Sequence, residues 1–281
     1  MTIFTHFSVD LDAVASVWFT RKFVPGFSEA GVVFKPANWD GSEMAAADIA
    51  VDINAGGKGF KGIENPDGTV SACFKGLLTK HGSGEVRTAL DDLAGYIDAH
   101  DSQGNAFKFL APDLSEGASR ILGAASLNVV LRAIQATNPR NDGVVVEKMG
   151  EIFNGILEMN LAKTRAVAEA DRAELFGGGV VALVENSREF GTNGILFDQG
   201  VQAVIYVDGN NLGAIRAGSC QVRMDCLAGI VEAAGESADW FGHPAGFLYC
   251  RGSRKAPAET PSAVDPRELA EALVKIIKTP A

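Results

Sequence analysis

Histidine and cysteine are scarce in this chain of 281 residues, four of each, and neither makes a framework. Cys73, Cys220, Cys226 and Cys250 stand far apart with no C-x-x-C pair. That excludes the usual zinc spacing and gives no basis for a disulfide scaffold, so they read as small buried hydrophobes in a reducing compartment. No uncharged run is long enough to cross a bilayer. The apolar start, Met1 to Val24, carries His6, Asp10, Asp12, Arg21 and Lys22 and lacks a small-residue cleavage pattern. A cytoplasmic protein without a membrane partner is therefore expected. Positive charge is also short: the formal net charge is −10, which argues against non-specific binding of long nucleic acid. It leaves room for small phosphorylated ligands, because a metal and a few cations can reverse the field inside one cleft. The 32 glycines follow no period and no internal repeat is visible.

What is present is an ordinary globular composition, 47% hydrophobic and 21% charged, over a length that suits two domains. Thr2–Phe7 reads as a buried strand. Asp12–Phe23 follows with Val14, Val17, Trp18 and Phe23 at helical spacing, ended by Pro25-Gly26. Gly31–Phe34 and Asp48–Ile53 read as further strands. Val70–Lys80, Val86–Ala99, Gly117–Thr137 and Val145–Phe176 read as helices. Strands alternating with helices predict a parallel sheet flanked by helices. Gly177-Gly178-Gly179 breaks the pattern. Beyond it Val180–Glu185, Ala203–Val207, Leu212–Ala217 and Gly246–Cys250 read as short strands, with Met224–Ala234 and Pro266–Lys278 helical. The expectation is an α/β protein of two domains: residues 1–144, a connector helix over 145–176, and a smaller α/β domain over 177–281.

His6, Asp10 and Asp12 stand where the first strand gives way to the first helix, in Thr5-His6-Phe7-Ser8-Val9-Asp10-Leu11-Asp12-Ala13. Ligands of open α/β sheets gather at the carboxyl ends of strands. One imidazole and two carboxylates there suit a divalent cation such as manganese. The plainer alternative is that Asp10 or Asp12 simply caps the helix. Asp52, at the end of Asp48–Ile53, is a candidate to share a cation, or an ordinary turn aspartate.

The pattern His-x-x-x-Asp-x-Asp-Ala after a first strand resembles the opening motif of the DHH phosphoesterase superfamily. That family includes exopolyphosphatases, family II pyrophosphatases, RecJ-type nucleases and hydrolases of short oligonucleotides and cyclic dinucleotides. The resemblance implies metal binding by His6, Asp10 and Asp12, with Asp52 as bridging ligand. Tyr96-Ile97-Asp98-Ala99-His100-Asp101 resembles the family's later metal-aspartate region. It points to Asp101, with Asp98, one helical turn earlier, as fallback. The implied cofactor is Mn2+ or Mg2+, one or two ions.

The Asp-His-His triplet that names the family is absent. Its place is taken by Gly56-Gly57-Lys58-Gly59-Phe60-Lys61-Gly62-Ile63-Glu64. Three readings follow: one metal rather than two, substitution by His100 or His81, or a degenerate site that only binds. Lys58 or Lys61 would then set an ammonium where the second metal or a substrate phosphate sits, unless both are solvated surface lysines. In the last third, Trp240-Phe241-Gly242-His243-Pro244-Ala245-Gly246 resembles the phosphate loop of the DHH-associated domain. Leu212–Gly218 resembles its strand ending in arginine. These imply substrate contacts by Arg216, Gly242 and His243, with Arg223 as the weaker arginine candidate.

The expected function is metal-dependent hydrolysis of a phosphodiester or phosphoanhydride in a small or short phosphorylated substrate. Asp10, Asp12 and Asp52 would serve catalysis. The alternative is a catalytically degenerate phosphate-ligand binding or sensor protein of the same fold. A homodimer is compatible with either.

Overall fold

The computed structural model describes residues 1–104, 106–189 and 191–279. The chain divides into two compact units, Met1–Leu161 and Ala162–Ala281. The first opens with β1 (Thr2–His6), α1 (Leu11–Phe23), β2 (Gly31–Lys35) and β3 (Ile49–Ala50). Among the described residues these strands form one parallel sheet in the order β2-β1-β3. α1 is buried on every side from Leu11 to Thr20, as a helix without a polar face must be. It packs through Val14, Val17, Trp18 and Phe19 into the main core.

The strand expected over Asp48–Ile53 pairs in the sheet only at Ile49 and Ala50. The cause is local: Asp52 takes a left-handed φ of 52°, and the chain turns into a short 3-10 segment at Ala55–Gly57. Asp tolerates that conformation better than most residues. Gly59 is needed in the following loop, because a Cβ there would lie 1.7 Å from the Ile53 carbonyl oxygen.

Next come α2 (Cys73–His81), α3 (Gly84–Gln103), α4 (Ala106–Leu110), α5 (Glu116–Ala124), α6 (Leu127–Thr137) and α7 (Asp142–Ala170). Ser83 and Ser115 accept from Val86 N and Ala118 N and so start α3 and α5. The single helix expected over Gly117–Thr137 is two, broken at Ala125-Ser126, where Ser126 Oγ donates to the Gly123 carbonyl. The helix expected to reach Phe176 stops at Ala170. Glu174–Phe176 is instead β4, an edge strand antiparallel to β5 (Val181–Val184). α7 runs through the boundary between the units. Val145, Met149, Phe153 and Leu157 lie in the first core, and Ala170 in a cluster with Ala182 and Val204.

The second unit continues with α8 (Thr192–Asp198), β6 (Ala203–Asp208), β7 (Asn211–Arg216), α9 (Ala228–Ala233), β8 (Trp240–Gly242), β9 (Leu248–Arg251) and α10 (Pro266–Lys278). Its mixed sheet runs β4-β5-β6-β7-β9-β8 among the described residues, with β5 and β6 parallel and the other pairs antiparallel. α10 is capped by Asp265, whose carboxylate accepts from Arg267 N, and has proline in its first turn. It buries Leu269, Ala270 and Leu273 against Leu183 and Ile205 in the core. The chain is thus α/β in both units, with no helix among the described residues long and apolar enough to cross a membrane.

Candidate metal centre

β1 and β3 end side by side, and their parallel register brings two distant pieces of chain together. His6 closes β1, and Asp52 follows β3 in its left-handed turn. The turn is fixed from behind: Asp52 N donates to the Phe60 carbonyl at 3.0 Å. It also lies 3.2 Å from Cys73 Sγ. His6 Nε2 lies 3.1 Å from Asp52 Oδ2 and 3.7 Å from Asp10 Oδ2. One donor atom from each of His6, Asp10 and Asp52 lies within 4.8 Å of the others.

The loop between β1 and α1 is also held. Ser8 adopts a φ of 56°. Asp142, at the start of α7, accepts from Ser8 N at 3.0 Å and from Val9 N at 3.4 Å, and Gln135 Nε2 donates to the Val9 carbonyl. Non-glycine residues at positive φ cost about 1–3 kcal/mol each and persist where neighbours enforce them. Ser8 and Asp52 flank the centre from its two sides.

The carboxylates differ in employment. Asp10 caps α1, its Oδ1 accepting from Ala13 N at 3.0 Å, while Oδ2 faces His6. The capping alternative and the cluster therefore hold together on one residue. Asp12 is 3% exposed and accepts from Cys73 N at 2.7 Å and Phe74 N at 2.8 Å, so both its oxygens serve the N-terminus of α2. Asp101 lines a small cavity of about 150 Å³ together with Asp10, Asp12, His100 and Asn128. Asp98 points its oxygens elsewhere, to Ala72 N at 2.7 Å and Lys75 Nζ at 2.6 Å. Lys61 Nζ stands 3.5 Å from Asp52 Oδ1, whereas Lys58 Nζ lies 3.4 Å from the Gly41 carbonyl. His81 ends α2 and His100 stacks on Tyr96; neither joins the His6 cluster.

Electrostatics follow from crowding. The hydrogen bond to Asp52 raises His6 to about 9, against the opposing effect of burial. Asp10 is raised by burial and then by the Asp52 charge. The same two causes lift Asp12 against its two amide bonds. Asp101 is raised by burial, Asp52 and Asp10, with Lys61 pulling the other way. Without a cation His6 and Asp12 therefore hold protons near neutral pH.

A divalent ion fits the donors present. Imidazole nitrogen with two carboxylate oxygens is a set that Mn2+, Fe2+ or Zn2+ accepts. The separations of 3.1 and 3.7 Å span the edges of a coordination shell with bonds of about 2.0–2.2 Å.

In the second unit, Arg216 ends β7 and its Nη1 donates to the carbonyls of Ala217 and Cys220, bracing the turn that follows. The stretch expected to be one loop is a hairpin: Gly242 is the last residue of β8, paired with Tyr249. The turn glycine is Gly246, at φ 71°, where a Cβ would meet Arg223 Cγ at 2.8 Å. His243 Nδ1 accepts from Ala245 N at 3.1 Å, and its ring lies 4.2 Å from that of Phe247. Arg223 reaches the same turn, donating to the Pro244 carbonyl at 3.2 Å. Asn105, in the segment after Asp101, lies outside the described residues.

Sequence reasoning missed Asp142, Gln135 and Cys73, which hold the ligand-bearing loops. The signal available was slight: an aspartate at a helix start and a glutamine on a helix face. Their partners are fixed only by tertiary folding.

No family model matches the chain, and no curated protein matches it. Among solved structures it is similar to RecJ of Thermus thermophilus in complex with Mg2+, at 11% identity and a TM-score of 0.32. That match covers 100% of this chain and 50% of RecJ. RecJ of the same organism with Mn2+ gives 11% identity and a TM-score of 0.32, covering 100% of this chain and 53% of the other. An uncharacterized protein of Helicobacter pylori shows 11% identity and a TM-score of 0.24 over 99% of both chains. The chain thus spans about half the length of the RecJ it matches.

Proposed function

We propose that the first unit carries a divalent-metal centre for hydrolysis of a phosphodiester or phosphoanhydride in a small or short phosphorylated substrate. The observation that carries this reading is the meeting of His6 Nε2, Asp10 Oδ2 and Asp52 Oδ2 within 4.8 Å at adjoining strand ends. Manganese or magnesium held there would supply Lewis acidity toward a phosphoryl oxygen and toward water. His6, Asp10 and Asp52 would hold the ion. Asp12 secures the start of α2, and with it Cys73 behind Asp52. Asp101, across the small cavity, accepts the proton of the attacking water as general base. Lys61, 3.5 Å from Asp52 and half exposed, receives a phosphate oxygen as a point charge. In the second unit, taken by itself, His243 at the hairpin turn, with Gly242 leading into it, offers a phosphate contact, while Arg216 braces the turn after β7 and Arg223 is paired with Asp225.

A second reading, ligand binding without turnover, is favoured by Lys61: an ammonium already beside Asp52 lessens the demand for a further cation. One experiment separates the two. The purified protein is assayed with Mn2+ on a short oligonucleotide and on pyrophosphate, with metal content counted by mass spectrometry. The hydrolase reading expects turnover and one ion per chain. Asp52→Asn should lower turnover by about 100-fold or more, the upper range for loss of a group that only supports a ligand. Metal bound without turnover on any short phosphorylated substrate leaves the binding reading. No metal bound and no turnover rejects the hydrolase reading, and no binding of a short phosphorylated ligand with or without metal rejects the binding reading.

A further inference from the structure

Beside the carboxylates lies a much larger cavity that the hydrolytic centre does not use. It has a volume of about 1010 Å³ and lies among α3, α4, α5 and α6 of the first unit. Small-molecule pockets run from about 300 to 1,000 Å³. His100 and Asn128 line both this cavity and the small one that holds Asp10, Asp12 and Asp101, so the two share a wall.

Its lining pairs two chemistries. One is aromatic. The rings of Tyr96 and His100, one helical turn apart on α3, are parallel to within 12° at a centroid distance of 6.2 Å, and Phe107 lies 5.5 Å from Tyr96. All three rings are only partly buried, so planar surface remains open to the cavity. The other is cationic. Among the described residues, Arg120, Arg132 and Lys108 line it against a single acid, Glu116, in a chain whose net charge is −10. Arginine binds phosphate as a fork, and an aromatic plane accepts any nucleobase face. The aromatic part has no use for a purely inorganic phosphate: pyrophosphate has no ring to stack.

We infer that this cavity is a nucleotide site, in which the base stacks on Tyr96 and His100 while Arg120 and Arg132 meet the phosphates leading to the His6 centre. The inference rests on the metal-centre reading for the direction of the phosphates, and it narrows the substrate class from any phosphorylated compound to a nucleotide.

The test compares adenosine monophosphate with ribose 5-phosphate by titration calorimetry on the full chain, with Mn2+ and again with EDTA. The nucleotide is expected to bind about tenfold or more tightly, the worth of one base–aromatic stack. Tyr96→Ala should abolish that preference, Tyr96→Phe should keep it, and Arg132→Ala should weaken both ligands alike. Unchanged Mn2+ binding by Tyr96→Ala would show that the variant is folded. Equal affinity of the two ligands, or a preference that survives Tyr96→Ala, overturns the inference. If Mn2+ binds and the base preference is missing, the cavity assignment alone fails. If the preference holds in EDTA and no Mn2+ binds, the metal centre alone fails.

Discussion

Loading the proposed centre must expel a proton, and this makes metal affinity a function of pH with a calculable slope. His6 can bind a cation only as neutral imidazole, yet the Asp52 hydrogen bond holds its metal-free pKa at about 9. At pH 7 that proton costs about 2.7 kcal/mol to remove, from two pH units at about 1.36 kcal/mol each, so affinity is about 100-fold below its alkaline limit. From pH 6 to pH 8 the Mn2+ association constant should climb about tenfold per pH unit. Calorimetry in buffers of different ionisation enthalpy should find about one proton released per ion. Stability gives an opposite sign without metal. The raised His6 contributes about 3 kcal/mol that is fully present below its unfolded value near 6.5 and is lost as pH rises through about 9. Asp10, Asp12 and Asp101, raised as well, act in the same direction because their ionisation is resisted in the folded chain. The metal-free protein should therefore melt lower at pH 9 than at pH 6.5, while the Mn2+-induced rise in Tm should grow over that interval. An affinity that moves by less than about threefold between pH 6 and pH 8 would refute ligation by His6.

Three further outcomes follow from single residues. Asp12→Ala strands two buried amides at the start of α2, which should cost about 2–4 kcal/mol by urea melting; a change below about 0.5 kcal/mol, on the order of an ordinary surface substitution, would contradict the capping role. Glu169 is 7% exposed and accepts from Ser187 Oγ, Arg188 N, Glu189 N and Thr192 Oγ1. Burial pushes its carboxyl up, but those bonds outweigh it and hold it low, so its stabilisation is present above its unfolded value and lost as pH falls through the folded one. Glu169→Gln should flatten the acid limb of a pH–Tm curve. Gly246→Ala should lower stability by about 1 kcal/mol, since the turn needs φ 71° and the new methyl would press on Arg223; an unchanged melt would show that the turn relaxes freely.

Where local chemistry decides, the chain was readable. Asp265-Pro266 starts α10 as capping rules require, and the His6-x-x-x-Asp10 spacing at a strand end announced the cluster that β1 and α1 build. Asp52 was legible as a strand-end acid, though not the left-handed turn that shortens β3, because nothing near it distinguishes a turning aspartate from a pairing one. The break between α5 and α6 escaped notice since apolar residues continue at helical spacing through Ile121, Leu122, Leu127 and Val130. β4 was read as helix because Glu-Leu-Phe favours either state, and only pairing with β5 decides. Asp12 was read as a ligand like its neighbours. Its employment on Cys73 and Phe74, 61 and 62 residues away, depends wholly on how α2 docks.

Charge balance explains how the chain keeps these acids together. Four carboxylates crowd this end of the sheet, and repulsion among them has to be met by something positive or polar. Asp12 is met by two amides at the mouth of α2. Asp52 divides its oxygens between His6 and Lys61. Asp10 gives one oxygen to Ala13 N and turns the other toward His6, and Asp101 faces the small cavity with Lys61 acting to stabilise its charge. The unmet charge is thus concentrated on Asp10 and Asp101, an amount that one divalent ion offsets and two would exceed. The loop from Gly56 to Glu64 is shaped to the same end. Gly59 packs its backbone on the Ile53 carbonyl where no side chain fits, and two residues later Lys61 delivers an ammonium to Asp52. A lysine cannot be stripped from the site by a chelator. The proposed centre therefore keeps part of its positive charge covalently and leaves only the remainder to a metal, which is the physical content of the one-ion expectation.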